Sequence, residues 1–152
     1  MKLAEALILR SDRQKRIEQL RHRLTNNSKV QEGDAPAEKP EALLKELEGS
    51  AIELESLVKR INKTNSATEF EKGRTLTDAL AERDILLLRK GIYSGLVTAA
   101  TVTQPLYSRS EIKFVSTVNV GRTQKQADAL AKQYRELDAK IQEFNWKTDL
   151  AE

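Results

Sequence analysis

The sequence has 152 residues, 39% hydrophobic and 32% charged, with 26 basic against 23 acidic side chains, one histidine and no cysteine. That mixture suits one domain with a moderate core of Leu, Ile, Val and Ala, and it favours long helices over a sandwich or a disordered tail. Disulfides, thiol nucleophiles and thiolate metal sites are excluded, and a lone histidine excludes a His-rich metal site within one chain.

The opening MKLAEALILRSD carries a short apolar stretch interrupted by Glu5 and lacks the apolar core and cleavage site of a signal peptide. No window reaches the 18 or so apolar residues of a membrane-spanning helix, so a cytoplasmic location is expected. The first helix is predicted from about Lys2 to Thr25. Leu3, Leu7, Ile17, Leu20 and Leu24 form one face, with Arg10 and Gln14 on the same stripe, and Asn26, Asn27 and Ser28 stop it. Within it, Arg10 to Arg23 is the nearest approach to a basic run. Asp12 and Glu18 interrupt it, so a solvated helix face is the plainer reading and an anion-binding patch the alternative. His22, between Arg21 and Arg23, reads as an exposed side chain without a special role.

Residues 29–39 contain Gly33, Asp34 and Pro36 and read as a loop. The second helix starts near Pro40, a good first-turn residue. Leu44, Leu47, Ala51, Leu54, Val58 and Ile61 follow at spacings of three and four, a full heptad seam that Leu43 and Leu57 widen. A second connection is expected over residues 62–74. Its NKTN, Asn62 to Asn65, is a helix stop or, less plainly, an anion-binding loop.

The third helix opens at Thr75, with Asp78 placed to complete a capping box. Ala81, Ile85, Leu88, Ile92, Gly95, Ala99 and Val102 make a continuous small-and-apolar seam. Leu80, Leu86, Leu87 and Leu96 lie off that seam, so the helix looks apolar on most sides and is expected to be the most buried element. Pro105 is expected to end it. Residues 112–120, IKFVSTVNV, alternate in polarity and give the only clear strand signal. A strand this short needs a partner, from an extended loop or from another copy. The fourth helix is predicted from Thr123, with Gln126 as capping partner. Ala127, Leu130, Tyr134, Leu137, Ile141 and Phe144 fill a second complete seam.

The expected architecture is therefore mainly α: a single domain over residues 1–152, an elongated antiparallel bundle of long coiled-coil-like helices with one short strand or extended segment near 112–120. Three helices with so much apolar surface are hard to cover in one chain. Self-association into a homo-oligomer is the simple remedy, through the seams of the second and fourth helices.

No phosphate-binding loop, dinucleotide fingerprint or nucleophile elbow occurs, so no catalytic residue, metal ligand or cofactor is assigned. Polar residues inside otherwise apolar stripes are the candidates for fixing register and oligomer state. Arg83, Asp84 and Arg89 of the third helix are expected to pair with polar seam residues of the first, such as Arg10 and Gln14, because a buried charge without a partner is costly. A polar pocket for a small ligand is the alternative use of the same residues. The stretch 91–104, uncharged and rich in small residues, could with 112–120 refold into a membrane-inserting hairpin. The plainer reading is a packed helix followed by a strand.

Several segments carry a family resemblance: MKLAEALILRSDRQKRIEQLRHRL, KVQEG, INKTN, TLTDALAERDILLLRK, YSRSEIKFVSTVNV and QKQADALAKQYRELDAKIQEFNW. In this order, and over nearly the whole chain, the sequence resembles the septicolysin family of uncharacterised bacterial proteins. The resemblance implies a predominantly helical, coiled-coil-like fold. The family name implies a cytolysin, and no catalytic residues come with it. The functional expectation is a non-enzymatic, self-associating structural or interaction protein. A membrane-active, pore-forming protein and a nucleic-acid-binding helical module are the alternatives.

Overall fold

The computed structural model describes residues 1–103 and 112–152. The protein is mainly helical: α1 (Leu3–Asn26), α2 (Pro40–Ala67), a two-stranded hairpin of β1 (Glu69–Glu71) and β2 (Arg74–Thr75), α3 (Leu76–Ala100) and α4 (Val120–Lys147). The chain divides into two compact units, residues 1–69 with 143–152, and residues 70–142.

The first unit is built on α1 and α2. A ladder of ion pairs runs between them, Arg13 to Glu53 at 2.7 Å, then Arg16 to Glu46, with Arg23 reaching Glu38 just before α2. The acid's number falls as the arginine's rises, so the helices are antiparallel. Asn27 closes the end of this pair: its amide donates to Arg23 O at 2.8 Å, and its Oδ1 accepts from Glu38 N at 2.9 Å. Leu3, Ala4, Ala6, Leu20, Leu43, Leu57 and Ile61 form the buried apolar core. The buried stripe of α2 is Leu43, Ser50, Leu57, Ile61 and Thr64. It lies one residue off much of the expected seam: Leu44 is exposed, and Leu47, Ala51, Leu54 and Val58 are half-buried. Ser50 is buried on this stripe although it is polar, which a seam read from hydrophobicity leaves out.

The segment Asn62 to Asn65 is helical, the last part of α2, and its amides are used within the helix. The helix stop expected there comes later, at Ala67, and no loop forms at Asn62–Asn65 for the alternative, anion binding. Thr64 ties down the C-terminus instead. Its hydroxyl donates to Arg60 O at 2.8 Å and accepts from Ala151 N at 2.9 Å, while Arg60 Nε donates to Ala151 O at 2.9 Å. The two chain ends meet: Leu3 N donates to Thr148 O and Leu150 N to Met1 O, both at 2.9 Å, and Lys2 pairs with Asp149 at 2.8 Å. The ammonium of Lys2 holds the Asp149 carboxyl below its ordinary value, as hydrogen bonding by Arg23 does for Glu38.

In the second unit the hairpin falls inside what reads as a plain connection. Gly73 supplies the turn at φ +75°, a left-handed conformation that side chains with a Cβ rarely adopt. Phe70 is buried beneath Arg74, whose guanidinium stands 5.1 Å from the ring centroid. Strands of three and two residues are too short to show alternation, which is why the sequence signal is weak. The capping box of α3 forms as expected: Asp78 N donates to Thr75 Oγ1 at 3.2 Å, and Thr75 N donates to Asp78 Oδ2 at 2.8 Å. Thr75 Oγ1 also donates to Asp78 Oδ2 at 2.8 Å, and the backbone and side-chain donors of Thr75 together hold the Asp78 carboxyl below its ordinary value.

The segment 112–119 is not a strand. Ile112, Phe114 and Val115 are 82%, 83% and 78% exposed, and no strand among the described residues pairs with it. Alternation alone supplies no partner strand; near the segment's end Ser116 Oγ donates to Val118 O at 2.8 Å and accepts from Val118 N at 3.3 Å. Its end serves α4 instead. Asn119 Oδ1 accepts from Arg122 N at 2.9 Å, capping a helix that begins three residues before the expected Thr123, which is buried inside the first turn. α3 ends at Ala100 with Thr101 N bonded to Val97 O. Pro105, Gln104 at the end of the 91–104 stretch, and Tyr107 to Glu111 of the YSRSEIKFV motif lie outside the described residues.

Candidate functional site: the open face of α3

The third helix has two apolar faces, and the chain covers one of them. Leu76 and Ala79 are buried, and Arg83, Leu86, Lys90, Tyr93, Val97 and Ala100 continue the stripe half-buried at spacings of three and four. The facing stripe on α4 is the expected one. Ala127, Leu130 and Ile141 are buried, and Tyr134, Leu137 and Phe144 are half-buried. Arg83 contacts Asp138 at 3.2 Å, and the Lys90 ammonium stands 5.9 Å from the Tyr134 ring centroid. Position 83 meets 138 and position 90 meets 134, so α3 and α4 run antiparallel.

The other stripe is the long seam singled out in the sequence, and all of it faces outward. Ala81, Ile85, Leu88, Ile92, Gly95, Ala99 and Val102 are each exposed, the large ones by 54% at Ile85, 57% at Leu88, 60% at Ile92 and 44% at Val102. Leu87 and Leu96 flank it and are exposed as well. Asp84, Leu87, Leu88, Gly91 and Ile92 line a shallow groove along it. The expectation that α3 is the most buried element is therefore reversed: among the described residues of α3 only Leu76 and Ala79 are buried. Apolarity on most sides says that a helix has much surface to cover, not that its own chain supplies the cover.

Of the five polar candidates, Arg10 and Gln14 lie in the first unit and Arg83, Asp84 and Arg89 in the second. Arg83 is shared between Asp84 at 3.1 Å and Asp138 of α4 at 3.2 Å. Periodicity alone does not reveal Asp138, which stands one residue outside the α4 seam beside Leu137. Asp84 and Arg89 are exposed at the border of the open face. Arg10 is half-buried with its Nε lacking a hydrogen-bond partner, and Gln14 is exposed beside a groove lined also by Ile17 and Leu54. In the basic run, Arg13, Arg16 and Arg23 are engaged by glutamates of α2 and its approach, and Arg21 by Glu18 at 3.3 Å. Charge so neutralised is unlike the unpaired basic stripe of a nucleic-acid interface.

Around the hairpin, Arg74 pairs with Glu71 at 3.3 Å and Glu82 at 3.2 Å, and Lys140 reaches Glu71 at 3.4 Å. This cluster fixes the hairpin to α3 and α4. Among the described residues no group of three or more His, Asp or Glu side chains is placed to hold a metal ion, and no helix is long and apolar enough to cross a membrane.

Comparison with known proteins places this architecture. The model of a family of unknown function, DUF6847, matches residues 10–150. The chain belongs to DUF6847. The match spans both units and all four helices of this DUF6847 chain. A solved structure with the same fold is the crystal structure of a functionally unknown conserved protein from Corynebacterium diphtheriae. It is 50% identical, covers 99% of each chain and has a TM-score of 0.93. No curated protein matches.

Proposed function

We propose that this protein is a cytoplasmic, non-enzymatic helical protein that works by assembling with copies of itself, in the manner of a coiled coil, through the open face of α3. One observation carries the reading. Six consecutive seam positions within α3, Ala81 to Ala99, keep the heptad spacing of a helix interface and are all exposed, as is Val102 just past the helix end. Soluble chains rarely leave so much contiguous apolar surface in water without a use for it.

The same observation moves the interface away from the seams of the second and fourth helices. The seam of α4 is spent within the chain on α3, and that of α2 is largely half-buried beside α1. Neither offers a second copy the uninterrupted strip that α3 does. The mechanism is then structural: assembly buries the strip and fixes the spacing of whatever the subunits carry.

The test is the solution mass by light scattering after size exclusion, over a wide dilution series, with and without lipid vesicles. The expected result is a defined multimer that dissociates on dilution and ignores vesicles. A monomer at every concentration overturns the reading. A monomer that assembles only on vesicles replaces it with the membrane-active one that the septicolysin resemblance implies.

A further inference from the structure

We infer that the occupant of this face is the α3 helix of a second copy, laid antiparallel about a twofold axis midway between residues 92 and 95. The inference rests on the self-association reading above and adds the partner element, its direction and its register.

Side-chain size sets the direction of the pair. Along the seam within α3, after Ala81, the side chains are large at Ile85, Leu88 and Ile92 and then small at Gly95 and Ala99. Reversing one helix against the other about that midpoint sets Ile92 against Gly95 and Leu88 against Ala99, both within α3. Each of these layers joins a larger side chain to a smaller one, and the interaxial spacing stays even across them. A foreign helix needs no such internal relation between the two halves of one seam. A second copy in reverse does.

The area is sufficient. Ile85, Leu87, Leu88, Ile92, Leu96 and Val102 are each between 41% and 60% exposed. Together they offer on the order of 500 Å² per chain and about 1,000 Å² over a pair, where a specific interface begins to hold. The borders agree as well. Beside the seam the antiparallel order brings Gly91 near Thr98, and lays the aliphatic stem of Arg89 along Leu96 of the other copy, with its charged end in water. No like charges oppose one another.

Gly91 and Gly95 fit this arrangement and nothing inside the chain. Each sits in the body of α3, where glycine weakens a helix, and a Cβ built at either meets no atom within 4 Å. A closely approaching second helix gives them a reason to be small. The parallel order has one merit, since it brings Asp84 beside Arg89 of the other copy. Its layers, however, pair Ile92 with itself and Gly95 with itself, crowding one half and leaving the other empty.

The protein has no cysteine, so single cysteines report the order directly. Leu88→Cys and Ala99→Cys are made separately, both at exposed positions that the fold of one chain tolerates. Each is oxidised alone and then mixed with the other, beside light scattering of the same samples. The expected result is an efficient disulfide only in the mixture, because in the reversed pair two copies of position 88 lie about 16 Å apart along the axis. Leu88→Cys cross-linking to itself overturns the antiparallel order while keeping the α3 interface. An assembled protein that cross-links in no combination overturns the α3 interface while leaving self-association standing. A protein that is monomeric throughout overturns both.

Discussion

The double substitution Leu88→Glu with Ile92→Glu separates assembly from folding. Full burial of a Leu or Ile contributes about 1.5–3 kcal/mol. Leu88 and Ile92 are 57% and 60% exposed, so completing their burial is worth about 1–2 kcal/mol each. Two such side chains on each of two chains give about 4–8 kcal/mol, and at 1.4 kcal/mol per factor of ten that is a dissociation constant raised roughly 10³–10⁶-fold. The carboxylates add a desolvation cost in the same direction. Folding of the single chain is affected little, because exposed substitutions stay within about 0.5 kcal/mol and glutamate is a good helix former. The assay is light scattering after size exclusion, with far-ultraviolet dichroism and urea unfolding of the dilute variant. The variant should run as a folded monomer where the parent is assembled. Leu44→Glu on α2, also at an exposed leucine, should keep the parental mass. If Leu44→Glu dissociates the protein and the double variant does not, the assignment of the interface to α3 is refuted.

Three further outcomes follow from the single chain. Ile61 is 1% exposed in the core of the first unit, and Ile61→Ala should lower stability by about 3 kcal/mol in urea unfolding; a loss below about 1 kcal/mol would mean that the core re-forms around it. Thr75→Ala removes the hydroxyl that accepts from Asp78 N, and should cost about 1 kcal/mol by urea unfolding, with Thr75→Ser recovering most of it. Glu38, Asp78 and Asp149 have carboxyls held below their ordinary values by Arg23, Thr75 and Lys2. Their contribution is therefore complete above the unfolded-state values near pH 4 and is lost as the pH falls through the lower folded-state values. Urea midpoints should be level from neutral pH down to about 5 and then drop; a midpoint that rises between pH 5 and 3 would contradict this origin.

Much of the helical fold is a local matter. The six seam positions from Ala127 to Phe144 are enough to show the inner face of α4, because that helix carries a single apolar stripe. Thr75 and Asp78 likewise mark the start of α3, since a capping box needs only four consecutive residues. The hairpin at 69–75 escapes notice because its strands are shorter than the period they would display. The alternation at 112–120 misleads because a strand exists only where another strand accepts its hydrogen bonds.

Apolar periodicity, the starts of the helices and the residues that break the stripes are legible in residue order alone, because each depends on near neighbours in the chain. The tertiary structure decided which of the two faces of α3 its own chain covers. Hydrophobicity cannot rank those faces, because both carry heptad spacing and the long seam is the more continuous of the two. The choice is made by α4, about fifty residues away in sequence, whose Asp138 meets Arg83 and whose Tyr134 approaches Lys90. Once α4 lies against the face that holds Arg83, a charged side chain gains its partner, and the purely apolar face is left for another molecule to cover. A charge has to be satisfied within the fold, whereas apolar surface can be buried by any suitable neighbour, including a second copy.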